Sequence, residues 1–523
     1  VLIDGAWRAS SGTEFFQAVN PSTREPLPDR FPVSPWPEIE SAVAAARRAF
    51  NTVAGWPGER FARFLERYAG LIEAKGAELA ALAQQETALP IEPRLAKAEL
   101  PRTVNQLRQA AAAARDGSWQ MPIIDTAANI RSIRAPLGPV VVFGPNNFPF
   151  AFNGISGGDF AAAVAAGNPV IAKAHSSHPG TTRLFAQLAH QAATEEDLPS
   201  GFVQLIYRCR HADGQKLVAH PNIGATGYTG ARATGLVLKA AADQAGKPIY
   251  LELSSINPVC LLPGALAERA GQIAEEFTAS CLMGTGQFCT NPGLVLLLAG
   301  PSTEAFIDQV RLKFEAAQPG TLLGAGVLDH LSGGVEALRA AGAQVLAGGQ
   351  LAQSAGYCYR NTLLRVTGRQ FLAEPRALQT EAFGNASLFV VAADAGELLR
   401  VLELLEGNLT GTIYSALGGE DDALYSQIEP PLRRSVGRLL NDKMPTGVAV
   451  SAAMNHGGPY PATGHPGFTA VGMPTAIARF TALHCYDNVR PGRLPPALAN
   501  KNPTGNFWRL IDGAYSQADI AQG

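Results

Sequence analysis

The chain has little charge of either sign and almost no imbalance between the two. Asp, Glu, Lys and Arg make up 16% of 523 residues, and the formal net charge is −2. So balanced a composition gives no electrostatic footprint for a nucleic-acid partner. Long apolar runs are also missing: no uninterrupted stretch approaches the roughly 18–20 residues that a bilayer-spanning helix needs. The opening Val1-Leu2-Ile3-Asp4-Gly5-Ala6-Trp7 has neither the basic start nor the apolar core expected of a secretory signal. Cysteine is sparse and scattered, at positions 209, 260, 281, 289, 358 and 485, with no Cys-x-x-Cys pair. That pattern predicts reduced thiols in a cytoplasmic enzyme, not a disulfide scaffold. His175 and His178 are the only closely spaced histidines, and Cys281 and Cys289 lack tight ligand spacing, so no metal site is expected. Internal repeats and long low-complexity segments are absent too.

What remains is an ordinary globular composition, 46% apolar, in a chain long enough for two to four domains. Helical spacing of apolar residues runs through 41–51, 61–86 and 96–115. Strand-like runs at 139–143, 169–173, 203–207 and 223–228 then alternate with helical segments 158–166, 181–193 and 233–245. Such alternation predicts a parallel sheet covered on both faces. After Glu252 the pattern restarts, with strands expected at 259–262, 294–298 and 387–392 and helices at 265–283, 303–317 and 396–406, so a second α/β unit follows. The stretch 117–134 reads as polar and irregular, and the tail beyond Pro491 is rich in Pro, Asn and Gly.

Two residues stand out chemically. Cys289 lies on the Gly-rich polar loop Gly284-Thr285-Gly286-Gln287-Phe288-Cys289-Thr290-Asn291-Pro292-Gly293, directly before an apolar strand. Glu252 interrupts the apolar run Pro248-Ile249-Tyr250-Leu251-Glu252-Leu253, where an unpaired carboxylate would be costly. Taken singly, they read as a packed cysteine and an edge-strand glutamate. Together, a thiol and a partly buried carboxylate base form a working pair for acyl chemistry.

Four segments decide between these readings. Gly144-Pro145-Asn146-Asn147-Phe148-Pro149, Leu251-Glu252-Leu253-Ser254-Ser255-Ile256-Asn257-Pro258, Gly286-Gln287-Phe288-Cys289 and Glu381-Ala382-Phe383-Gly384 occur in that order. They resemble the asparagine, glutamate, nucleophile and Glu-x-Phe-Gly motifs of the aldehyde dehydrogenase superfamily, and the likeness runs from about residue 1 to about residue 490. The resemblance implies an α/β fold of two Rossmann-like parallel-sheet domains plus a β-arm for oligomerisation. Residues 1–117 and 137–254 would form the cofactor-binding domain, and 255–455 the catalytic domain. The arm and tail would be 118–136 and 485–523, which implies a homodimer or homotetramer. The implied reaction is NAD(P)-dependent oxidation of an aldehyde to a carboxylic acid through a cysteine thioester. Cys289 would be the nucleophile, Asn147 an oxyanion donor beside a backbone N–H, and Glu252 the base that activates water.

The cofactor signal does not take the usual Gly-x-Gly-x-x-Gly form. Gly230 and Gly235, in Tyr228-Thr229-Gly230-Ala231-Arg232-Ala233-Thr234-Gly235, would let a diphosphate approach a helix start. The family usually has Ser where this chain has Ala231. Lys173 would contact the adenosine ribose. Ser176 stands where NAD-preferring members commonly carry Glu, which favours NADP over NAD, with Arg208 or Arg210 available to a 2′-phosphate. Glu381 would hold the nicotinamide ribose and Phe383 would pack against that ring. Many members have Lys near Ser156. Its absence, together with His456-Gly457-Gly458-Pro459-Tyr460-Pro461-Ala462-Thr463, resembles a subgroup containing 2-oxoglutarate semialdehyde (2,5-dioxovalerate) dehydrogenases and an NADP-linked fatty aldehyde dehydrogenase. Phe148, Phe152 and Phe288 would line the substrate tunnel, or simply pack in a core. The substrate expectation is 2-oxoglutarate semialdehyde, with a medium or long aliphatic aldehyde as the alternative. A CoA-acylating enzyme is disfavoured, because such relatives generally lack the glutamate. No arginine is identifiable from the sequence as the holder of a distal carboxylate.

Overall fold

In the computed structural model, which describes residues 1–521, the strand-type runs form two seven-stranded sheets, a five-stranded sheet and a two-stranded ribbon. The first large sheet has the order Ile249–Glu252, Ala225–Thr229, Val140–Phe143, Val170–Lys173, Val203–Ile206, Leu2–Ile3, Ala6–Trp7. The first five of these are parallel. Parallel neighbours need crossovers, and the helices Gly158–Ala165, Pro179–Glu195, His211–Val218 and Arg232–Gln244 supply them. Starting from Val140–Phe143, the chain builds outward to one side and then returns to build the other. Strand order therefore reverses beside Val140–Phe143, and the crevice beyond the carboxyl ends of strands at such a switch is where open α/β sheets take ligands.

The second sheet has the order Gln344–Ala347, Thr362–Thr367, Ala386–Ala392, Leu294–Leu298, Val259–Leu261, Asn408–Tyr414, Val436–Asn441, and only its Gln344–Ala347 edge pairs antiparallel. Successive side chains of a strand face opposite ways. Leu294, Leu296, Leu388 and Val390 accordingly fill one apolar core, while Val295, Leu297, Phe389 and Val391 fill another on the opposite face.

Three departures from the expected elements have physical reasons. The helical pattern 61–86 is two helices, Gly58–Ala74 and Gly76–Thr87, broken at Lys75. A Cβ on Gly76 would lie 2.5 Å from Leu100 Cδ2, so the second helix starts where Leu100 packs closely over a residue without a side chain. The stretch 117–134 is not irregular. Ile123–Asp125 and Ile130–Pro136 pair with each other, and the latter also pairs with Thr481–Asp487, a partner too distant in sequence for local patterning to reveal. The tail beyond Pro491 contributes Arg509–Ile511 and Ala514–Ser516 to the same sheet, pinned by Arg509, which is 1% exposed and donates to the carbonyls of Ala499 and Ala518.

Candidate active site

The carboxyl ends of the first sheet deliver four of the sequence-derived residues to one crevice. Asn147 follows Val140–Phe143, Lys173 ends Val170–Lys173, Gly230 follows Ala225–Thr229, and Glu252 ends Ile249–Glu252. Register fixes their order, since Phe143 pairs with both Tyr228 and Lys173, and Thr229 pairs with Glu252. The amino ends of the second sheet face them. Ser255 to Pro258 lead into Val259–Leu261, Cys289 leads into Leu294–Leu298, and Glu381 to Gly384 lead into Ala386–Ala392. Asn257 ties two of these approaches together, donating to the carbonyls of Cys289 and Asn291 at 2.9 and 2.8 Å.

Cys289 lies at the base of this cleft, enclosed by protein yet partly open to solvent. Burial pushes its thiol well above the usual cysteine range. The negative charge of Glu252 pushes it further, and the cation of Arg102 opposes. The resting sulfur is therefore a thiol, and attack needs a proton acceptor. The structure supplies one that was assigned no role in the sequence. Nε2 of His456 is 3.4 Å from Cys289 Sγ and 2.9 Å from Glu252 Oε1. Glu252 and His456 are both buried, at 2% and 1% exposure. His456 arrives because its loop adds to the open edge of Ile249–Glu252: Leu253 N–H donates to the Ala462 carbonyl, and Gly464 N–H to the Leu251 carbonyl. The segment 456–463 was visible as a resemblance, but no local spacing links a histidine to groups 167 and 204 positions away.

One nitrogen faces both groups, which constrains the chemistry. Nε2 can accept the thiol proton or donate to the carboxylate, and after accepting it can donate that same proton onward. His456 is thus placed as a relay between Sγ and Glu252. The second carboxylate oxygen, Oε2, is buried with no hydrogen-bond partner among the described residues. The ligand atoms of Glu252, Cys289 and His456 lie within 4.8 Å of one another, a set that could hold a metal ion and that sequence spacing does not reveal. Asn147 Nδ2 donates at 3.0 Å to the carbonyl of Gln287, two residues before Cys289, which leaves its second amide hydrogen for another acceptor.

The residues expected around a dinucleotide fall along the crevice. The helix Arg232–Gln244 begins without a side-chain cap, so its first N–H groups are available to an anion. A Cβ on Gly235 would meet Leu253 Cδ2 at 2.5 Å, and one on Gly230 would meet the Tyr228 hydroxyl at 2.8 Å. Both glycines therefore permit close packing around that helix start. Glu381 accepts from Ser255 N–H at 3.1 Å, and burial pushes its carboxyl up to about 7. Glu381, Phe383 and Phe288 border an open cleft of about 360 Å³. At the other end, Lys173 and Ser176 are half-buried. Burial holds His178 down to about 4 and His175 well below its usual range, so neither adds charge there at neutral pH. Arg210 is exposed and turned to Glu14, so a 2′-phosphate would have to draw it out of that ion pair. The tunnel aromatics cluster: the ring centroids of Phe148 lie 5.2 Å from Phe152 and 5.4 Å from Phe288, and Phe152 stands 5.6 Å from His456.

Two parallel-sheet units, with a thiol and a buried carboxylate where the carboxyl ends of one sheet face the amino ends of the other, define the scaffold of an α/β enzyme. The chain belongs to the aldehyde dehydrogenase family, whose sequence model matches residues 7–429. It is 41% identical to "Alpha-ketoglutaric semialdehyde dehydrogenase 2" of Azospirillum brasilense, with 98% of each chain covered. It is 36% identical to "Alpha-ketoglutaric semialdehyde dehydrogenase" of Acinetobacter baylyi strain ATCC 33305 / BD413 / ADP1, over 98% of this chain and 97% of that one. The crystal structure of PnpE in complex with nicotinamide adenine dinucleotide, a protein of Pseudomonas sp. WBC-3, has the same fold. Its TM-score is 0.81 at 22% identity, with 94% of this chain and 98% of that one covered. The protein is accordingly an NAD(P)-dependent enzyme that oxidises an aldehyde. No helix among the described residues is long and apolar enough to cross a membrane.

Proposed function

We propose that the enzyme oxidises 2-oxoglutarate semialdehyde to 2-oxoglutarate, releases the acid to water, and favours NADP over NAD. The observation that carries the hydrolytic reading is the thiol–imidazole–carboxylate line Cys289–His456–Glu252, with one carboxylate oxygen left unpartnered. The names of the Azospirillum and Acinetobacter relatives support the substrate.

In this reading Cys289 attacks the aldehyde carbon as its proton passes to His456 Nε2. Asn147 donates its free amide hydrogen to the oxyanion, a contact of a kind typically worth about 100–1,000-fold in rate. Lys173, Ser176, Arg210, Gly230, Gly235, Glu381 and Phe383 hold the nicotinamide cofactor, which when bound accepts the hydride from the reacting carbon. Glu252 then takes a proton from water as that water attacks the Cys289 thioester, and Cys289 leaves as its sulfur recovers the proton held by His456. Coenzyme A has no part in this sequence. The aromatic cluster Phe148, Phe152 and Phe288 favours a second reading, a medium or long aliphatic aldehyde. A panel of 2-oxoglutarate semialdehyde, pentanal and decanal with each nicotinamide decides between them. The oxo acid should give the highest kcat/KM and a free carboxylic acid as product. Preference for decanal, or acyl-CoA formation when CoA is added, would overturn the proposal.

The cofactor preference rests on Ser176. Wild type should show the higher kcat/KM with NADP, and Ser176→Glu should move the ratio towards NAD by roughly 5–150-fold, since a carboxylate repels a 2′-phosphate and accepts from a 2′-hydroxyl. A wild type that prefers NAD, with no response to the substitution, would mean that Ser176 does not face the ribose.

We also propose that the protein is a cytoplasmic homodimer or homotetramer assembled through the five-stranded sheet. That sheet exposes Leu483 at 67% and Tyr515 at 74%, next to strand edges open to pairing.

A further inference from the structure

The helix Leu100–Asp116 presents Arg102 to the aromatic cluster beside the thiol. Its guanidinium carbon lies 5.2 Å from the Phe152 ring centroid and 5.7 Å from that of Phe148. Nε and Nη2 of Arg102 are buried and meet no hydrogen-bond partner among the described residues. Leaving charged donors out of water without an acceptor is costly, and arginine does not escape the cost by losing its proton in the ordinary pH range. The neighbouring acid cannot serve it. Glu99 Oε2 already accepts from Arg94 at 2.8 Å, and Oε1 accepts from the N–H groups of Phe150 and Ala151. Arg94, which also stands over Phe148 and Phe288, therefore has a direct ion-pair partner, whereas Arg102 feels the charges of Glu99 and Glu252 but makes no ion pair with either. A second cation, Arg438 on Val436–Asn441, adds to the imbalance. Among the described residues it meets only neutral acceptors, the carbonyls of Pro445 and Gly447 and the Met454 sulfur, and its Nε has no hydrogen-bond partner there. Arg102 and Arg438 are close enough to each other and to Cys289 for their charges to interact.

A nucleophilic thiol with a guanidinium nearby whose donors lack hydrogen-bond partners among the described residues favours an anion on the substrate. We propose that Arg102, with Arg438 adding to the field, anchors the distal carboxylate of the aldehyde, so that the substrate class is short oxo acids rather than neutral aldehydes. The fork of a guanidinium matches a carboxylate with two parallel hydrogen bonds. The Phe148, Phe152 and Phe288 rings then flank the few carbons between carboxylate and aldehyde and keep water from the ion pair. This rests on the proposal that Cys289 attacks an aldehyde, and it deepens that proposal by naming the group that sets specificity.

The test compares 2-oxoglutarate semialdehyde with pentanal, a neutral aldehyde of the same carbon count, in wild type and Arg102→Met. Methionine keeps length and apolar contact while removing the charge. The variant should lose on the order of 100-fold in kcat/KM for the oxo acid, mostly through KM, and at least 10-fold less than that on pentanal, where only the effect of the Arg102 charge on the Cys289 thiol is lost. Pentanal turnover also reports that the variant is folded. The product 2-oxoglutarate should inhibit wild-type pentanal oxidation competitively, and this inhibition should vanish in Arg102→Met. Equal losses on both aldehydes would assign Arg102 to the thiol or the fold and overturn the anchor. So would an unchanged oxo-acid KM or persisting product inhibition. A wild type that prefers pentanal overturns the anchor alone, whereas one that oxidises no aldehyde overturns the parent proposal.

Discussion

Cys289→Ser is expected to remove aldehyde oxidation by more than about 1,000-fold in kcat/KM while leaving cofactor affinity within a few-fold of wild type. A nucleophile that acts as part of a unit costs most of the catalysis when it alone is lost. An alcohol is a far poorer nucleophile than a thiol that can become thiolate, and the environment makes this worse. Burial and the Glu252 charge already oppose an anion at this position, even with sulfur there. The residues proposed to hold the cofactor belong to other loops: Gly230 follows Ala225–Thr229, Lys173 ends Val170–Lys173, and Glu381 is tied to Ser255. Cofactor titration followed by fluorescence, run beside steady-state rates, separates the two effects. Substantial turnover by the serine variant would sink the covalent assignment.

The parts of this site that were legible in the sequence are those with local signals. Glu252 is a charge in an apolar strand, and Cys289 lies on a glycine-rich loop entering another. Both positions follow from the alternation of strands and helices, which also made the two parallel sheets readable. His456 carried no comparable signal. It reaches Cys289 and Glu252 only because residues 462–464 add to the open edge of Ile249–Glu252, a pairing between segments some two hundred positions apart. Arg102 did leave a trace. It lies four residues before Gln106 and eight before Ala110, both buried, so it occupies the inward stripe of its helix, where a charge needs an explanation. The β-arm was implied by the resemblance, but its strands were hidden from the local pattern for the same reason as His456. Ile130–Pro136 finds its partner in Thr481–Asp487, so neither strand is explained by its own neighbourhood.

Glu252→Gln is expected to split the reaction in time. A stoichiometric burst of reduced cofactor should remain, followed by a steady state slowed about 100–1,000-fold, within the range typical of losing a general base. The geometry supports this order of events. The group nearest the thiol with a nitrogen able to take its proton is His456, at 3.4 Å, and glutamine leaves that imidazole in place. What glutamine removes is the carboxylate, including the unpartnered Oε2, which cannot be replaced as a proton acceptor for water. A second consequence has the opposite sign. The Glu252 charge is one of the causes that push the Cys289 thiol up, second only to burial. Removing it should lower the thiol pKa, so more thiolate is present at a given pH and iodoacetamide should alkylate Cys289 faster in the variant than in wild type. Rapid-quench measurement of the burst and the alkylation rate together make the test. A burst lost in parallel with the steady state, with alkylation slowed, would mean that Glu252 is the group that deprotonates the thiol, and the hydrolytic base would have to be sought elsewhere.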